Sequence, residues 1–193
     1  MTTQPLFTDT TFEKKDFREA PLAKGEYENC QFAHCDLSGV DISGILFIDC
    51  SFSHCNLSLV NLAKTCFRDV AFKDCKMWGL HWENADQFGL AVTLDHCSLN
   101  HSSFYGVKLT KQVFTHCSLQ EVDFTEAVLG GAVFAHCDLA RAAFDHTNLE
   151  KADFRTATNY SIDPEKNTIK KARFSLTGVA GLLDKYDIEI IGR

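Results

Sequence analysis

The sequence predicts an all-β fold in which the chain winds as a four-sided coil. Apolar residues occupy every fifth position without exception over residues 7–82, and again over residues 94–154. A helix repeats at 3.6 residues and a strand at 2, so a strict step of five requires a chain that turns a corner once per pentad. Residues twenty apart also carry similar side chains, as do Phe12, Phe32 and Phe52. Four pentads therefore complete one coil, and each coil packs on its neighbours.

Residues 7–82 form the first predicted stack of coils. Small side chains at a second inward position of each pentad predict that the interior is narrow. The position two residues before each apolar centre holds mostly Ala, Val, Ser, Thr or Cys. Eight of the nine cysteines occupy this slot: Cys30, Cys35, Cys50, Cys55, Cys75, Cys97, Cys117 and Cys137. Free cysteine packs as a compact apolar residue, and stacked positions about 4.8 Å apart do not suit a disulfide. We therefore expect reduced thiols and a cytoplasmic protein.

Several pentads carry a recognisable consensus. CDLSG at 35–39, CNLSL at 55–59, CDLAR at 137–141 and ADFRT at 152–156 are similar to A-(D/N)-L-x-x, the repeat of the pentapeptide-repeat family. The resemblance covers residues 5–175. It implies that the coil is a right-handed quadrilateral β-helix, a pentapeptide-repeat solenoid, and that residues 1–193 make a single domain.

The register breaks once, over residues 83–93. Trp82 and Leu94 are twelve residues apart, which is two pentads plus two residues, and Gly89 in between suits a backbone kink. We interpret this segment as a jog within one continuous rod, which resumes as a second stack over residues 94–175.

The last residues, 176–193, leave the repeat. Residues 176–186 have helical spacing, and a short extended apolar end follows, so the sequence predicts a capping helix and strand that cover the open end of the rod. In the family that the chain resembles, such a tail forms a two-fold interface, which implies a homodimer; a monomeric cap is the alternative. The candidate interface residues are Leu182, Leu183, Tyr186, Ile188, Ile190 and Ile191.

Catalytic and metal-binding signals are weak. No phosphate-binding glycine loop, nucleophile elbow or HExxH motif occurs, and a packed interior leaves no pocket, so we expect neither an enzyme nor a cofactor. The dipeptide His-Cys occurs five times, but the register directs each cysteine inward and each histidine outward, so the two cannot share a metal. A surface ion on the ladder His96, His116 and His136 is conceivable; the simpler interpretation is a solvated corner and no metal.

Protein binding remains. The net charge of −7, from 26 acidic and 19 basic residues, disfavours direct nucleic-acid binding, and no apolar run approaches the length of a membrane span. The first hypothesis is a structural or adaptor rod with an unknown protein partner, which would use an exposed apolar set: Leu46, Ile48, Leu59, Trp78, Val113 and Val133.

The second hypothesis comes from the resemblance, because the family includes DNA-mimicking modulators of DNA gyrase and topoisomerase IV that protect against quinolones or toxins. The tail is similar to the quinolone-resistance and microcin-immunity type, but the coil-interrupting loops of many such members are absent here. One candidate acidic face comprises Glu121, Asp123, Glu126, Asp138 and Asp145. Another comprises Glu26, Glu28, Asp49 and Asp69. A continuous acidic stripe would favour mimicry, and a stripe broken by Lys108, Lys111 and Lys151 would favour the adaptor.

Overall fold

The computed structural model describes residues 5–191 and contains short parallel strands and almost no helix. The strands are β1 (Leu6–Thr8), β2 (Thr11–Glu13), β3 (Glu26–Glu28), β4 (Gln31–Ala33), β5 (Leu46–Ile48), β6 (Ser51–Ser53), β7 (Cys66–Arg68), β8 (Val70–Lys73), β9 (Val92–Asp95), β10 (Val113–Thr115) and β11 (Val133–Ala135). Two parallel sheets result, one ordered β1-β3-β5-β7 and the other β11-β10-β9-β8-β6-β4-β2. The predicted all-β solenoid is confirmed.

Four faces follow one another along each coil. Face 1 holds the first sheet and face 2 the second. Face 3 is a ladder of isolated bridges that begins Asp16↔Asp36, and face 4 is a ladder that includes His81↔Ser103. Beyond residue 107, face 1 continues as the bridge ladder that begins Lys108↔Val128. Within each stack, paired residues lie twenty apart, as the period of five predicts.

The jog at 83–93 inserts two residues without ending the stack. β8 pairs with β9 in a register of twenty-two residues, with Val70 opposite Val92 and Phe72 opposite Leu94. The Trp82 ring stacks on Phe104, with 5.4 Å between ring centroids. A 3₁₀ helix at Trp82–Asn84 and a bulge over residues 86–91 take up the additional chain. The sheet on face 2 therefore runs through both halves of the rod.

The interior is filled by columns of aromatic and aliphatic side chains. Phe32 stacks on Phe52 at 4.4 Å, and Phe114 stacks on Phe134 at 5.2 Å. Rings from neighbouring faces meet edge to face, as Phe114 and Phe124 do at 6.1 Å. These offset-stacked and perpendicular geometries are the ones that aromatic rings prefer. Nearly all of these rings are buried, so the core is a continuous apolar shaft.

The corners of the rod use left-handed backbone. The second residue after an apolar centre commonly has φ between 50° and 74°, a region that most side chains avoid. Asn, Asp, His and Gly are frequent there, and these residue types tolerate the conformation best. Each corner thus presents one outward side chain per coil, and these side chains form straight columns, which we call edges.

The carboxyl-terminal cap differs from the predicted helix. Two 3₁₀ helices, Gly178–Leu182 and Asp184–Tyr186, replace the helix expected over 176–186, and Ile188, Ile190 and Ile191 form no strand. Glycine at positions 178 and 181 disfavours an α-helix. Both glycines also allow the cap to pack closely against Tyr160. A Cβ atom on Gly178 would lie 2.1 Å from the tyrosine hydroxyl, and one on Gly181 would lie 2.0 Å from its main-chain oxygen.

A search of residues 5–191 for a helix with the length and hydropathy of a membrane span finds none.

Candidate protein-binding surfaces

Four of the five residues in the first predicted acidic group lie on face 4 or at its two corners, and the fifth lies on the neighbouring face. Asp123 and Asp145 lie on face 4, where Asp123 pairs with Ser103 and Ala143. Asp138 lies on face 3, where it pairs with Ser118. Glu121 and Glu126 occupy two different corners, with φ of 56° and 59°. Asp138 follows Asp123 by fifteen residues, three of the four steps around a coil, which places it on the neighbouring face of the next coil.

Three of these carboxylates have side-chain partners within the rod. Glu121 forms an ion pair with Arg141, and its other oxygen lies 3.1 Å from Nδ1 of His101. Asp145 contacts His146 at 3.0 Å. Burial alone would raise the pKa of Asp138, but hydrogen bonds from the Asn159 and Gln120 side chains outweigh it and lower the pKa.

Asp123 and Glu126 are the members of this group that contact neither a basic side chain nor a side-chain amide among the described residues. Asp123 accepts a hydrogen bond from the main-chain N–H of Thr125 at 2.8 Å, which fixes the corner. The carboxylate of Glu126 accepts a hydrogen bond from Tyr105 and thereby raises the pKa of that phenol. Face 4 is therefore acidic over a short length only.

The second acidic group does share a face. Glu26, Glu28, Asp49 and Asp69 all lie on the first half of face 1 or on its corner. The three lysines that could interrupt such a stripe also lie on face 1, in its second half: Lys108, Lys111 and Lys151. The stripe on this face is therefore acidic at one end and basic at the other.

A leucine and a tryptophan form an apolar patch near the middle of the rod. Leu59 is 70% exposed and Trp78 is 41% exposed. Leu59 occupies a left-handed corner with φ of 59°, an unfavourable conformation for a bulky residue. Its side chain lies over Gly79, where an added Cβ would be 2.7 Å from the leucine Cδ2. Glycine at 79 therefore leaves the space that this leucine uses.

Neighbouring polar groups fix the orientation of the Trp78 ring. Its Nε1–H donates a hydrogen bond to Ser98 Oγ at 2.6 Å. The Lys76 ammonium lies over the ring, 3.9 Å from the centroid, in a cation–π contact. We call Leu59, Lys76, Trp78 and Gly79 the Trp78 patch. Sequence reasoning named Leu59 and Trp78 but did not place them together.

The other members of the apolar set lie on other faces. Val113 and Val133 pair with each other on face 2, and Val113 is 46% exposed. Leu46 and Ile48 are half-buried in β5 on face 1. The set is therefore three separate surfaces.

One edge of the rod is a column of histidines. The corner between faces 2 and 3 carries, in order, His34, His54, Asp74, His96, His116 and His136. His34 and His54 stack at 4.8 Å, and the predicted ladder of His96, His116 and His136 stacks at 4.5 and 4.7 Å. Within residues 5–191, no group of three or more His, Cys, Asp or Glu side chains could hold a metal ion.

The inward cysteines do more than fill space. Each thiol in this slot lies 3.3–3.6 Å from a main-chain oxygen of the preceding coil, as Cys50 does from Tyr27. Thr65 and Thr147 donate equivalent hydrogen bonds through their hydroxyls at 2.8 Å. All nine cysteines are free and buried. Burial raises the pKa of the Cys50 thiol to about 11, which keeps it protonated as a donor.

The cap is held against the last coil by specific contacts. Lys185 Nζ lies 2.7 Å from both Asp163 and Glu165, in the turn that contains Pro164. Tyr186 donates a hydrogen bond from its hydroxyl to Glu165 at 3.1 Å. Ile162 donates its main-chain N–H to the oxygen of Gly181 at 2.9 Å. The cap is therefore docked on the rod.

The six candidate interface residues divide into two groups. Leu182 packs against the core, and Leu183 is half-buried. Tyr186, Ile188, Ile190 and Ile191 are between 53% and 87% exposed. Leu176, 91% exposed, and Val179, 40% exposed, belong to the same surface and were not predicted. Half of the exposed large apolar residues of the described chain thus lie in its last sixteen residues.

Comparison with known proteins identifies the family. The family model described as "Pentapeptide repeat region" matches residues 25–91 and 89–154, which together exceed half of the chain. The chain belongs to the pentapeptide-repeat family. The search of curated protein sequences gave no match.

Two solved structures share the fold at low sequence identity. HetL, a pentapeptide-repeat protein involved in heterocyst differentiation regulation from the cyanobacterium Nostoc sp. strain PCC 7120, superposes with a TM-score of 0.52 at 11% identity. That match covers 92% of this chain and 90% of HetL. Full-length QnrB1, a plasmid-mediated fluoroquinolone resistance protein, superposes with a TM-score of 0.51 at 16% identity. It covers 95% of this chain and 100% of QnrB1, and at these identities the likeness is one of fold.

Proposed function

We propose that this chain is a non-enzymatic adaptor rod that binds a protein partner through the Trp78 patch and acts as a tail-to-tail homodimer. The observation that carries the proposal is the exposed pair Leu59 and Trp78. Tryptophan is enriched among the residues that dominate protein–protein binding energy. Its ring is already oriented by Lys76 and Ser98, so little side-chain freedom is lost on binding.

The backbone at Leu59 supports this proposal. The left-handed conformation costs a non-glycine residue about 1–2 kcal/mol relative to right-handed backbone. Gly39 and Gly79 occupy the neighbouring positions of the same edge and avoid that cost. A leucine that is strained and mostly exposed contributes little to folding. Its apolar side chain, held over Gly79, is better explained by contact with a partner.

The packed interior supports a non-enzymatic role. The clefts of the described chain are shallow and lie at the surface, and the cleft beside Asp69 and Lys111 encloses about 360 Å³. Ligand sites in enzymes are usually concave and mostly enclosed. The titratable groups with shifted pKa values include hydrogen-bonded or ion-paired carboxylates, tyrosines that are buried or beside a carboxylate, and buried thiols that bridge coils, and these groups have structural contacts that explain the shifts.

The exposed tail surface supports the homodimer. Tyr186, Ile188, Ile190 and Ile191 project from the end of the rod after Leu182 has closed the core. Because the cap already covers the core, these additional apolar groups are available to a second copy related by a two-fold axis. In 500 mM NaCl, which screens contacts between exposed charges, replacing Ile188 and Ile190 by Glu should give a monomer by light scattering. Replacing Leu59 in the same way leaves the tail intact and serves as the control. A dimer that survives the tail variant at this salt concentration would contradict this interface.

The order of charges on each face favours the adaptor over a DNA mimic. A mimic needs negative charge at regular intervals along one continuous surface. On face 4, the column that contains Asp123 runs His81, Ser103, Asp123 and Ala143. Face 1 reverses its sign at the jog. Gyrase and topoisomerase IV remain the partners of the alternative hypothesis, and Asp123 and Glu126 are the residues through which it is tested.

The test of the adaptor is binding that depends on the Trp78 patch. Immobilised parent protein, a Trp78→Ser variant and a Val113→Ser control should be exposed to lysate of the source cells. A protein retained by the parent and the control but not by Trp78→Ser is then purified and titrated by calorimetry. We expect at least a tenfold loss of affinity for Trp78→Ser, about 1.4 kcal/mol, and no loss for Val113→Ser. Equal retention and equal affinity across the three proteins would contradict the proposal.

Gyrase supercoiling, titrated with and without a quinolone, separates the two hypotheses. The adaptor predicts no inhibition and no protection at micromolar protein. If inhibition or protection occurs, and is lost when Asp123 and Glu126 are replaced by Lys, the mimic replaces the adaptor as the explanation.

A further inference from the structure

Face 1 segregates its charge into two opposed halves. Before the jog, its outward positions carry five carboxylates and one guanidinium, a net charge of −4: Asp9, Glu26, Glu28, Asp49, Asp69 and Arg68. After the jog, the equivalent positions carry five ammonium groups and one carboxylate, a net charge of +4: Lys108, Lys111, Lys151, Lys170, Lys171 and Glu150. Four coils lie on each side of the jog, so the two halves are equal in length and opposite in sign.

Most of these charges have no ion-pair partner among the described residues, unlike those elsewhere on the rod. Arg18 bridges Asp16 and Asp36 on face 3, and Arg155 and Arg173 both contact Asp153 on face 2. On face 1, the single ion pair among the described residues joins Lys151 to Glu150 at 3.5 Å. Like charges instead follow one another along the edge, and like charges directly opposite on paired strands are destabilising. The arrangement therefore costs folding energy that a partner could offset.

The shape of face 1 is self-complementary, as its charge distribution is. β5 presents Leu46 and Ile48, which are half-buried apolar side chains two coils before the jog. Two coils after the jog, Gly130 and Gly131 have no side chains, and a depression of about 260 Å³ lies over them. Lys111 and Lys151 flank that depression. Asp49 follows Leu46 and Ile48 in the same coil.

We propose that face 1 binds a second copy of this chain in an antiparallel, side-by-side arrangement. A two-fold axis at the jog places Ile48 of one copy over Gly130 of the other, and Leu46 over Val128. The same operation brings the acidic half of each copy against the basic half of its partner. An isologous contact of this kind requires a self-complementary surface. Face 1 has that property in both charge and shape, and it is distinct from the tail surface.

The experiment measures self-association of the full chain in a background where Ile188 and Ile190 are replaced by Glu, so that the tail contact does not contribute. In sedimentation equilibrium at 50 mM NaCl we expect a dimer. We expect its dissociation constant to rise at least about tenfold at 500 mM NaCl, because exposed ion pairs are screened. A monomer at 50 mM NaCl, at protein concentrations up to several hundred micromolar, would overturn the proposal.

Charge reversal tests the pairing of the two halves. The triple variant Lys111→Glu, Lys151→Glu, Lys171→Glu makes the edge wholly acidic, and Asp9→Lys, Asp49→Lys, Asp69→Lys makes it wholly basic. Each alone should be monomeric, and an equimolar mixture should form a heterodimer. The matched control Lys14→Glu, Lys15→Glu, Lys73→Glu makes the same change of charge away from face 1 and should dimerise like the parent. Self-association of either reversed variant, or a mixture that remains monomeric, would overturn the pairing.

Filling the depression tests the shape without changing the charge. Gly130→Gln should fold normally, because an added Cβ meets nothing closer than the Glu150 main-chain oxygen at 3.8 Å. Its side chain should occupy the space that Ile48 needs, and dimerisation should weaken at least tenfold. A native circular-dichroism spectrum with unchanged self-association would exclude the antiparallel register.

Discussion

Truncation of Phe124 is the most direct test of the stacked interior. Phe124 is fully buried, with Phe104 stacked on one side at 5.4 Å and Phe144 on the other at 5.2 Å. Phe114 and Phe134 meet it edge-on at 6.1 and 5.9 Å. Replacing buried Phe by Ala typically costs about 3–5 kcal/mol, and the loss of four aromatic contacts places Phe124→Ala in the upper part of that range.

An end position gives the matched control. Phe174 is half-buried at the last coil, with Phe154 stacked on it at 5.3 Å and only Tyr160 as a further aromatic contact. Phe174→Ala should therefore cost clearly less than Phe124→Ala. For a chain of this size, about 4–5 kcal/mol corresponds to a fall in melting temperature of roughly 8–20 °C.

The assay should combine thermal unfolding with hydrogen exchange, because a solenoid can open locally. We expect Phe124→Ala to lose amide protection mainly in the coil that contains residue 124 and in the coils on either side. The reasoning is refuted if the two variants have equal melting temperatures, or if protection is lost uniformly along the rod.

Three further predictions concern single positions. Gly181→Ala should release the cap, because the new Cβ would lie 2.0 Å from the main-chain oxygen of Tyr160. Limited proteolysis after residue 175 should then become faster. Gly130→Ala, whose new Cβ would have its nearest contact at 3.8 Å, is the control and should be cleaved like the parent. Leu59→Asn should raise the free energy of unfolding by roughly 0.5–1 kcal/mol, because Asn tolerates left-handed backbone, and should weaken partner binding; a urea titration that shows destabilisation would disprove the strain. The hydrogen bond from Arg155 lowers the pKa of Asp153. The ionised carboxylate therefore stabilises the fold fully above about pH 4, and this stabilisation is lost as the pH falls through the lowered pKa. Asp153→Asn should remove this part of the acid dependence of the melting temperature, and a profile of melting temperature against pH equal to that of the parent would contradict the prediction.

The coil itself could be predicted from the sequence because its period is imposed by packing. Each inward position must hold an apolar side chain of suitable size, so the period of five can be read from the sequence. The pairing of residues twenty apart can be read in the same way, as for Phe12 and Phe32. The role of the cysteines was less visible. Their inward direction follows from the register, but donation of each thiol to the previous coil depends on main-chain geometry.

The surfaces could not be predicted, for two physical reasons. The two residues inserted between Trp82 and Leu94 can be absorbed in several ways, so the sequence does not say which edges of the two halves align. Only the structure places His34 and His96 on one edge. In addition, the chain turns onto a new face every five residues, so residues that are close in sequence lie on different faces, as Asp123 and Asp138 do.

The tail forms 3₁₀ helices in place of an α-helix because its sequence must satisfy two different constraints. Apolar residues recur with helical spacing over 176–186, but Gly178 and Gly181 are placed where the main chain must approach Tyr160. Close approach excludes a side chain, and glycine weakens a helix. The docked cap therefore takes two 3₁₀ turns.

On a rod of this kind, charges are informative when they are considered along columns. A carboxylate that meets an arginine within the rod needs no further partner, as Asp16 meets Arg18 in its own coil and Asp36 meets the same arginine from the next coil. A column in which Asp49 and Asp69 follow each other, or Lys151 and Lys171, has a repulsion that the fold does not relieve. Such columns occur on face 1 with opposite signs on the two sides of the jog. Because the sum over the whole chain hides this order, a net charge of −7 neither supports nor excludes a partner. The order along the face is the basis of the self-association that we propose, in which the partner surface is basic where this one is acidic, acidic where it is basic, and apolar where two glycines leave room.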